Sequence, residues 1–420
     1  MAMADQPAGK SFRLSMLLYD TRYRSITIQV IMLALFAYGA YWLLDNMYTN
    51  LAVANKDPDF GFLAQPAGYD INQRLIEYTS QSTHARAWMV GLLNTLLVAF
   101  LGCILATVLG VSIGVMRLSK NWIVARLMTV YIEIFRNVPV LLCILFAMAI
   151  FIEEFPQPKM FRGEDATSFM YFWDSVAFTN RGWYIPKPVF NFGMTPFADG
   201  SLPLFNFGSK VVLSTLLASI VAIFAFGKWA KARQEASGEI LPTFWIKLAI
   251  LFIPTVIMFY VMGQPVVLDY PALKGFNFQG GLHLRNSLIA LWLALSLYTA
   301  AFIAEAVRAG IMAIDKGQSE AAEALGLRQK RVMKLVVLPQ ALRVIIPPLI
   351  SQYLNLTKNS SLAVAVGYMD VTGTLGGITS NQTGRSLETI LLLMITYLTI
   401  SLSISMVMNV YNNSVKLKER

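Results

Sequence analysis

The chain has 420 residues and a formal net charge of +10, with 56% hydrophobic and 14% charged residues. A soluble domain is about a quarter charged, so this composition excludes an ordinary soluble globular protein. The apolar residues gather in uncharged runs of about 20 residues, the length that a helix needs to cross a bilayer. The sequence therefore predicts an all-α, polytopic transmembrane helix bundle.

Eight apolar runs are candidate spans, and the third and fourth have the least defined ends. In chain order they are Ile26–Leu44, Trp88–Met116, Val138–Phe155, Ser209–Phe226, Trp245–Gly263, Asn286–Arg308, Val344–Val366 and Leu387–Tyr411. If the N-terminus is cytoplasmic, inside connections carry more than twice the Lys and Arg of outside ones. This bias predicts that both termini are cytoplasmic. It explains the positive charge as a topology signal, so we expect no nucleic-acid partner.

Two of the outside connections are long. Asp45–Ala87 contains Pro, Gly, Asn and Asp, and predicts an irregular surface loop. Pro156–Gly208 is rich in aromatic residues and predicts a small cap. In such a cap, Trp173, Trp183 and Tyr184 would lie at the level of the lipid headgroups or beneath a docked partner, and the sequence leaves both alternatives open.

The sequence offers little for enzyme chemistry. Cys103 and Cys143 lie within apolar runs, and His84 and His283 are far apart, so we predict no catalytic residues and no metal site. The phosphate-binding pattern G-x-x-x-x-G-K-[ST] does not occur. We therefore expect no enzyme activity and no cofactor in this chain.

The cytoplasmic connection between the sixth and seventh spans reads DKGQSEAAEALGLRQKRVMKLVVLPQ. Asp315 and Gln318 form a potential capping box, and Ser319–Leu325 consists of good helix formers. Gly326 follows where a helix C-terminal glycine is expected. The pattern predicts a short, rigid helix across the cytoplasmic end of the bundle. From the residues alone, an ordinary amphipathic connection remains the alternative.

The spacing in this connection resembles the EAA loop of ATP-binding-cassette import permeases. That pattern is EAA, three residues, Gly, nine residues, Ile, one residue and Leu-Pro, and here Val336 replaces the Ile. The resemblance implies that the loop inserts into a groove of an ATPase subunit. The ATPase-coupling residues are then Glu320, Ala321, Ala322, Gly326, Leu338 and Pro339.

Further segments resemble polar amino-acid uptake permeases, over Trp88–Phe151 and Asn286–Val410. These segments are Asn94–Gly102, Arg117–Asn121, Tyr131–Pro139, Tyr298–Ile311 and Leu356–Gly367. The additional spans, together with NRGWYIPKP, are similar to the Q-type subunit of general L-amino-acid and glutamate/glutamine/aspartate/asparagine importers. The resemblance divides the chain into 1–87 (tail, extra span and loop), 88–152 (first core part), 153–285 (insertion), 286–410 (second core part) and 411–420 (tail).

The same resemblance implies the partners and the mechanism. A related M-type permease would form a heterodimer with this chain, and two ATPase subunits would hold the ATP and Mg. A periplasmic binding protein would deliver polar L-amino acids, which would cross by alternating access. The location implied is the bacterial inner membrane, where lipid surrounds the bundle.

The seventh span contains the most polar residues. After Pro347-Pro348 comes a polar stripe at helical spacing, Ser351, Gln352, Asn355, Lys358 and Asn359, followed by Ser360 and Ser361. A helix weakened by proline exposes backbone groups that can bind a ligand.

The charge and hydrogen-bonding groups of these side chains suggest how each would contact a substrate. Lys358 would meet a substrate carboxylate, Asn355 and Asn359 offer donors and acceptors, and Glu305, deep in the sixth span, would face an amino group. In the alternatives, Lys358 pairs with Glu305, or the polar residues join helices to one another. Arg136 and Arg308, near the cytoplasmic boundary, would contact headgroups or anchor loops.

A different class of protein remains an alternative, namely an amino-acid transporter driven by an ion gradient. Such a protein would be expected to contain inverted repeats and buried acids for coupling. The sequence shows no clear repeat, and Glu305 is the only acid deep in a span.

Overall fold

The computed structural model describes residues 21–53, 59–163, 166–190, 207–239, 241–264 and 266–415. The predicted tails, in residues 1–20 and 416–420, and residues 191–206 of the aromatic connection lie outside the described residues.

Helices dominate the described chain. In order they are α1 (Thr21–Val53), α2 (His84–Arg117), α3 (Trp122–Asn137), α4 (Val140–Glu153), α5 (Phe207–Ser237), α6 (Thr243–Val261), α7 (Asn286–Met312), α8 (Lys316–Ala324), α9 (Gln329–Val332), α10 (Leu338–Asn359), α11 (Ser380–Thr383) and α12 (Ser386–Val415). Seven helices in the described ranges are long and apolar enough to span a membrane, and the bent pair α3–α4 makes up to eight. The prediction of a transmembrane bundle with about eight spans is confirmed.

The third predicted span, Val138–Phe155, is only part of a broken unit. α3 and α4 meet at an angle of 108°. The break falls at Val138 and Pro139 because proline cannot continue the hydrogen-bond pattern of α3 and disfavours helical geometry at the preceding residue. The sequence prediction missed α3, since its charged residues interrupt the apolar run.

α2, α4, α7 and α10 form the core. Glycines on α2 allow its backbone to approach the neighbouring helices closely. A Cβ atom at Gly110 would lie 2.6 Å from Ile303 of α7, and one at Gly102 would lie 3.0 Å from Leu356 of α10. Small residues at helix contacts are the usual way in which membrane helices achieve close packing. In contrast, α5 and α6 pack mainly against each other.

Short strands form a cap at the predicted outer ends of α4 and α7. They are β1 (Ala177–Thr179), β2 (Gly182–Ile185), β3 (Lys187–Phe190), β4 (Val266–Asp269), β5 (Ala272–Lys274), β6 (Asn277–Gln279) and β7 (Leu282–Leu284). β1, β2 and β7 form an antiparallel sheet, and β3–β4 and β5–β6 form two-stranded ribbons. The cap therefore joins the segments on both sides of the α5–α6 pair, and these strands were not predicted.

The aromatic residues of the cap have different surroundings. Tyr184 is buried and stacks on His283 with ring centroids 4.3 Å apart, and Trp183 packs edge-on against Phe151. A docking contact is thus wrong for Tyr184, because its side chain is buried inside the cap, whereas for the half-buried Trp183 the predicted role stays a prediction. Trp173 is 97% exposed, and for it the role stays a prediction. Burial lowers the pKa of His283 below its ordinary value.

Candidate functional site

α8 is the short helix that the cytoplasmic loop predicted. The Asp315 carboxylate caps its start by accepting a hydrogen bond from the Gly317 N–H at 2.7 Å, rather than from Gln318 as a capping box requires. At its end, Gly326 has a φ of +80°. The Gly326 N–H donates to the Glu323 carbonyl and the Leu327 N–H to the Ala322 carbonyl, at 2.8 and 3.3 Å. This pair of bonds is a Schellman motif, which fixes the exit from the helix.

The residues predicted to contact an ATPase differ in exposure. Glu320, Ala321 and Gly326 are exposed, so their role stays a prediction. Ala322 is only 6% exposed and packs with Val332 and Val337 of its own chain. This burial contradicts a direct contact to another subunit through Ala322, whose side chain instead holds α8 against the bundle.

Leu325 was not singled out from the sequence, although it is 84% exposed at the end of α8. An apolar side chain directly before a helix-ending glycine in a polar loop was the available signal. Leu338 and Pro339 are also exposed, at the first turn of α10. They follow a π-helical turn, Met333–Val337, a feature that is frequent at functional sites. The loop thus offers an apolar tip and an exposed base.

The polar stripe lies on α10 and faces away from its own chain. Ser351, Asn355 and Lys358 are exposed, and Gln352 and Asn359 are half-buried. Between them, Leu356 packs on Gly102, near the middle of the 34 residues of α2. The stripe therefore lies on the outer surface of the bundle, at about half its depth. At this depth a charged side chain in contact with lipid is costly.

The two serines that follow the stripe are less exposed than the exposed residues of the stripe. Ser360 is buried, and its hydroxyl donates to the Thr357 carbonyl at 2.7 Å. Ser361 is half-buried. The predicted pathway role for Ser360 is therefore contradicted in this conformation, because its side chain is buried and its hydroxyl bonds back to the last turn of α10. The role of Ser361 stays a prediction.

Glu305 is held by two arginines. One carboxylate oxygen contacts Arg117, and the other accepts from Arg308 at 2.6 Å. The alternative in which Lys358 pairs with Glu305 is thus wrong, whereas the contact of Glu305 with a substrate amino group stays a prediction, since Glu305 is partly exposed. Arg308 anchors this ion pair rather than a headgroup. Sequence reasoning missed Arg117 because its partner lies 188 residues away.

Arg136 is the remaining predicted boundary anchor. Its guanidinium carbon lies 5.9 Å from the centre of the Phe302 ring. Both side chains line a cavity of about 200 Å³ between α3, α7 and α10, together with Glu305, Gln352, Val344, Pro348 and three small residues, Ala306, Ala309 and Gly310. The cavity is open on one side and Arg136 is itself an exposed side chain, so its predicted role as a boundary anchor stays a prediction.

The segment that closes the outer end of α10 begins inside the predicted seventh span, whose last residues do not continue the α-helix. It contains a 3₁₀ turn, Ser360–Val366, and a π-helix, Thr372–Thr379. Asp370 is buried there, accepting from the Gly373 N–H at 2.8 Å and the Tyr397 hydroxyl at 3.1 Å. These bonds fold the segment back between α2 and α12.

Comparisons with known proteins agree on one kind of protein. Residues 214–417 match the family model described as "Binding-protein-dependent transport system inner membrane component". The chain is 56% identical to the glutamate/glutamine/aspartate/asparagine transport system permease protein BztB of Rhodobacter capsulatus, over 100% of both chains.

Two further relatives are similar over nearly their whole length. The general L-amino acid transport system permease protein AapQ of Rhizobium johnstonii is 43% identical over 98% of this chain and 96% of its own. The putative amino-acid ABC transporter permease protein YhdX of Escherichia coli is 43% identical over 90% and 91%. These relatives give no support to the alternative of an ion-gradient-driven transporter.

Proposed function

Because this chain belongs to the family of amino-acid ABC transporter permeases, we propose that its polar stripe lines the path by which polar L-amino acids cross the membrane. The chain is a multi-pass membrane permease, and its family is a transport family rather than an enzyme family. The names of two relatives point to glutamate, glutamine, aspartate, asparagine and other L-amino acids as the substrate class.

One observation carries the proposal, namely the exposure of Lys358 and Asn355 at mid-depth of the bundle. Charged and amide groups in a membrane are expensive unless they face a partner or a water-filled path. An ammonium group suits the α-carboxylate common to all amino acids, and an amide offers both donors and acceptors. The stripe therefore supplies groups that bind a zwitterion in passage.

The proposed partners would bind the polar stripe, the outer side and the cytoplasmic loops of this chain. A related permease would cover the stripe and form a heterodimer, so that the path runs between the two chains. A periplasmic binding protein would deliver the amino acid from outside the bacterial inner membrane, with both termini of this chain in the cytoplasm. Two ATPase subunits, holding ATP and Mg, would bind the cytoplasmic loops, and the cycle would proceed by alternating access.

The loop and the stripe belong to one mechanical unit. Leu338 and Pro339 begin α10, and Lys358 lies about 30 Å further along the same helix at 1.5 Å per residue. An ATPase that moves Leu325 and the rigid α8 would thereby displace the base of α10. Pro347 and Pro348 interrupt the helix hydrogen bonds between loop and stripe, so the two halves of α10 can change their angle.

The test replaces the charge of Lys358 in the assembled transporter. In Lys358→Met we expect binding-protein-dependent uptake of L-glutamine to fall at least tenfold, because a charge-assisted hydrogen bond is worth about 1.5–3 kcal/mol. Lys358→Arg should retain part of the uptake. The measurement is ATP-driven accumulation of labelled L-glutamine in proteoliposomes.

Lys210, at the start of α5, provides the matched control. It is an exposed lysine on the α5–α6 pair, away from α10, and Lys210→Met should leave uptake unchanged. Equal uptake in Lys358→Met and wild type would refute the role of the stripe. Failure of the tagged chain to copurify an ATPase would refute the importer assembly itself.

A further inference from the structure

The cavity between α3, α7 and α10 continues the polar stripe toward the cytoplasm. Gln352 belongs to both, and Pro348 and Val344 follow it by one and two helical turns on the same face of α10. Its volume of about 200 Å³ greatly exceeds the ~10–15 Å³ that one water molecule needs. A ligand that leaves the level of Lys358 along this face therefore meets the cavity next.

The depth of the cavity places it near the inner end of the path. Phe302 lies about 24 Å along α7 from Asn286, at 1.5 Å per residue, and the hydrocarbon core is about 30 Å thick. Arg136 lies at the end of α3, directly before the break at Val138 and Pro139. The broken span thus carries a guanidinium to the inner end of the path.

The charges around the cavity are unbalanced. Both oxygens of Glu305 are engaged by Arg117 and Arg308. Among the described residues, no carboxylate lies within 4.0 Å of the Arg136 guanidinium. The nearest acid in sequence, Glu133, is hydrogen-bonded to Asn137 at 3.3 Å. Arg136, an exposed side chain, therefore brings a positive charge without a carboxylate partner to the open side of the cavity, with its guanidinium carbon 5.9 Å from the centre of the Phe302 ring.

The opposite wall offers a partner for an ammonium group. Pro348 has no N–H, so the carbonyl of Val344 lacks the donor that a helix normally supplies four residues later. The side-chain amide of Gln352 adds an oxygen acceptor. The cavity thus combines a fixed cation on α3 with carbonyl acceptors on α10, the arrangement that an α-amino acid requires.

From this arrangement we propose that the cavity is an inner binding station for the transported amino acid, in which Arg136 binds the α-carboxylate and the Val344 carbonyl receives the α-ammonium group. The proposal rests on the proposed function of the polar stripe, and it adds a second site on the cytoplasmic side. An amino acid released from Lys358 would pause there before it enters the cytoplasm. The same guanidinium chemistry would also suit a lipid phosphate, so the test separates these two sources of the anion.

The experiment reports on occupancy of the cavity itself. Gln352→Cys is introduced into the complete transporter with Cys103 and Cys143 replaced by Ala, and Ala309→Cys serves as a second reporter. A membrane-impermeant thiol reagent is applied from the cytoplasmic side of proteoliposomes, with increasing L-glutamine on that side. We expect L-glutamine to slow alkylation, whereas its α-carboxamide analogue, which lacks the carboxylate, has no effect.

Substitutions at Arg136 then assign the site. Arg136→Gln should raise the half-protecting concentration of L-glutamine by about tenfold or more, and Arg136→Lys should restore protection only in part, because lysine lacks the bidentate geometry of arginine. Arg126→Gln removes an exposed arginine from the same helix and should match wild type.

Three outcomes would overturn the inner station. These are protection that is unchanged in Arg136→Gln, protection by the carboxamide analogue, and protection that follows the phosphatidylglycerol content of the vesicles instead of L-glutamine. ATP-driven uptake is measured in the same vesicles. If uptake in Lys358→Met equals that of wild type, the role of the stripe is refuted. If L-glutamine does not slow alkylation while wild-type uptake is normal, only the inner station is refuted.

Discussion

The left-handed conformation of Gly326 gives the sharpest prediction for coupling. A Cβ atom at this position would meet no atom within 4 Å, so the first side-chain atom of a larger residue has room. The cost comes from the φ of +80°, which for a residue other than glycine is about 1–2 kcal/mol. If the turn flips to avoid this cost, two hydrogen bonds of roughly 1 kcal/mol each are lost instead. Gly326→Val thus destabilises the native turn by about 1–2 kcal/mol, or roughly tenfold in its population.

This change should act on transport through α8. A helix of nine residues is marginal without its caps, so Gly326→Val should fray the last turn and displace Leu325. We expect ATP-driven uptake to fall about tenfold while the transporter still assembles. Gly326→Asn is the control, because asparagine adopts the left-handed region more readily, and it should retain most of the activity. Full uptake in Gly326→Val, with normal stimulation of the ATPase, would refute the argument that α8 must be rigid.

Two further predictions concern the loop tip and the cap. Leu325→Ser should weaken copurification of the ATPase, because the exposed leucine would lose its apolar contact; undiminished copurification would exclude Leu325 from the interface. In the cap, burial lowers the pKa of His283, so folding favours the neutral imidazole. The cap is therefore fully stable above the unfolded pKa of about 6.5, and it loses stability as the pH falls through the lower folded pKa. Amide hydrogen exchange in β2 and β7, corrected for its intrinsic pH dependence, should accelerate from pH 8 to pH 5, and His283→Gln should remove this dependence.

Features that depend on local sequence were predicted best. Apart from α3, the apolar runs identified the membrane helices of the described residues, since length and hydropathy decide whether a segment can span. The short helix α8 was predicted because Asp315 and Gly326 act on their own neighbours. In these cases the physical cause lies within a few residues, so no knowledge of the tertiary structure is needed.

Features that depend on distant residues were missed or assigned wrongly. β2 pairs with β7 across the whole α5–α6 insertion, and the cap strands are too short to show a clear period. Glu305 was expected to face a substrate amino group or to pair with Lys358, but Arg117 approaches it from another helix. Ala322 belongs to the same EAA pattern as the exposed Glu320 and Ala321. Its burial depends on packing against Val332, which the pattern does not show.

The placement of the polar groups on α10 would allow one helix to serve both coupling and passage, the two roles proposed for it. Its inward face packs on α2 and α7 through Leu356 and Ile345, so it cannot carry charge. Its outward face carries Lys358 at one level and the cavity with Gln352 at the next. The proline pair separates the base of the helix, where the loop ends, from the polar residues above it. Under the two proposals, a displacement of the base would change the spacing between Arg136 and Lys358, and hence which of the two cations would hold the carboxylate.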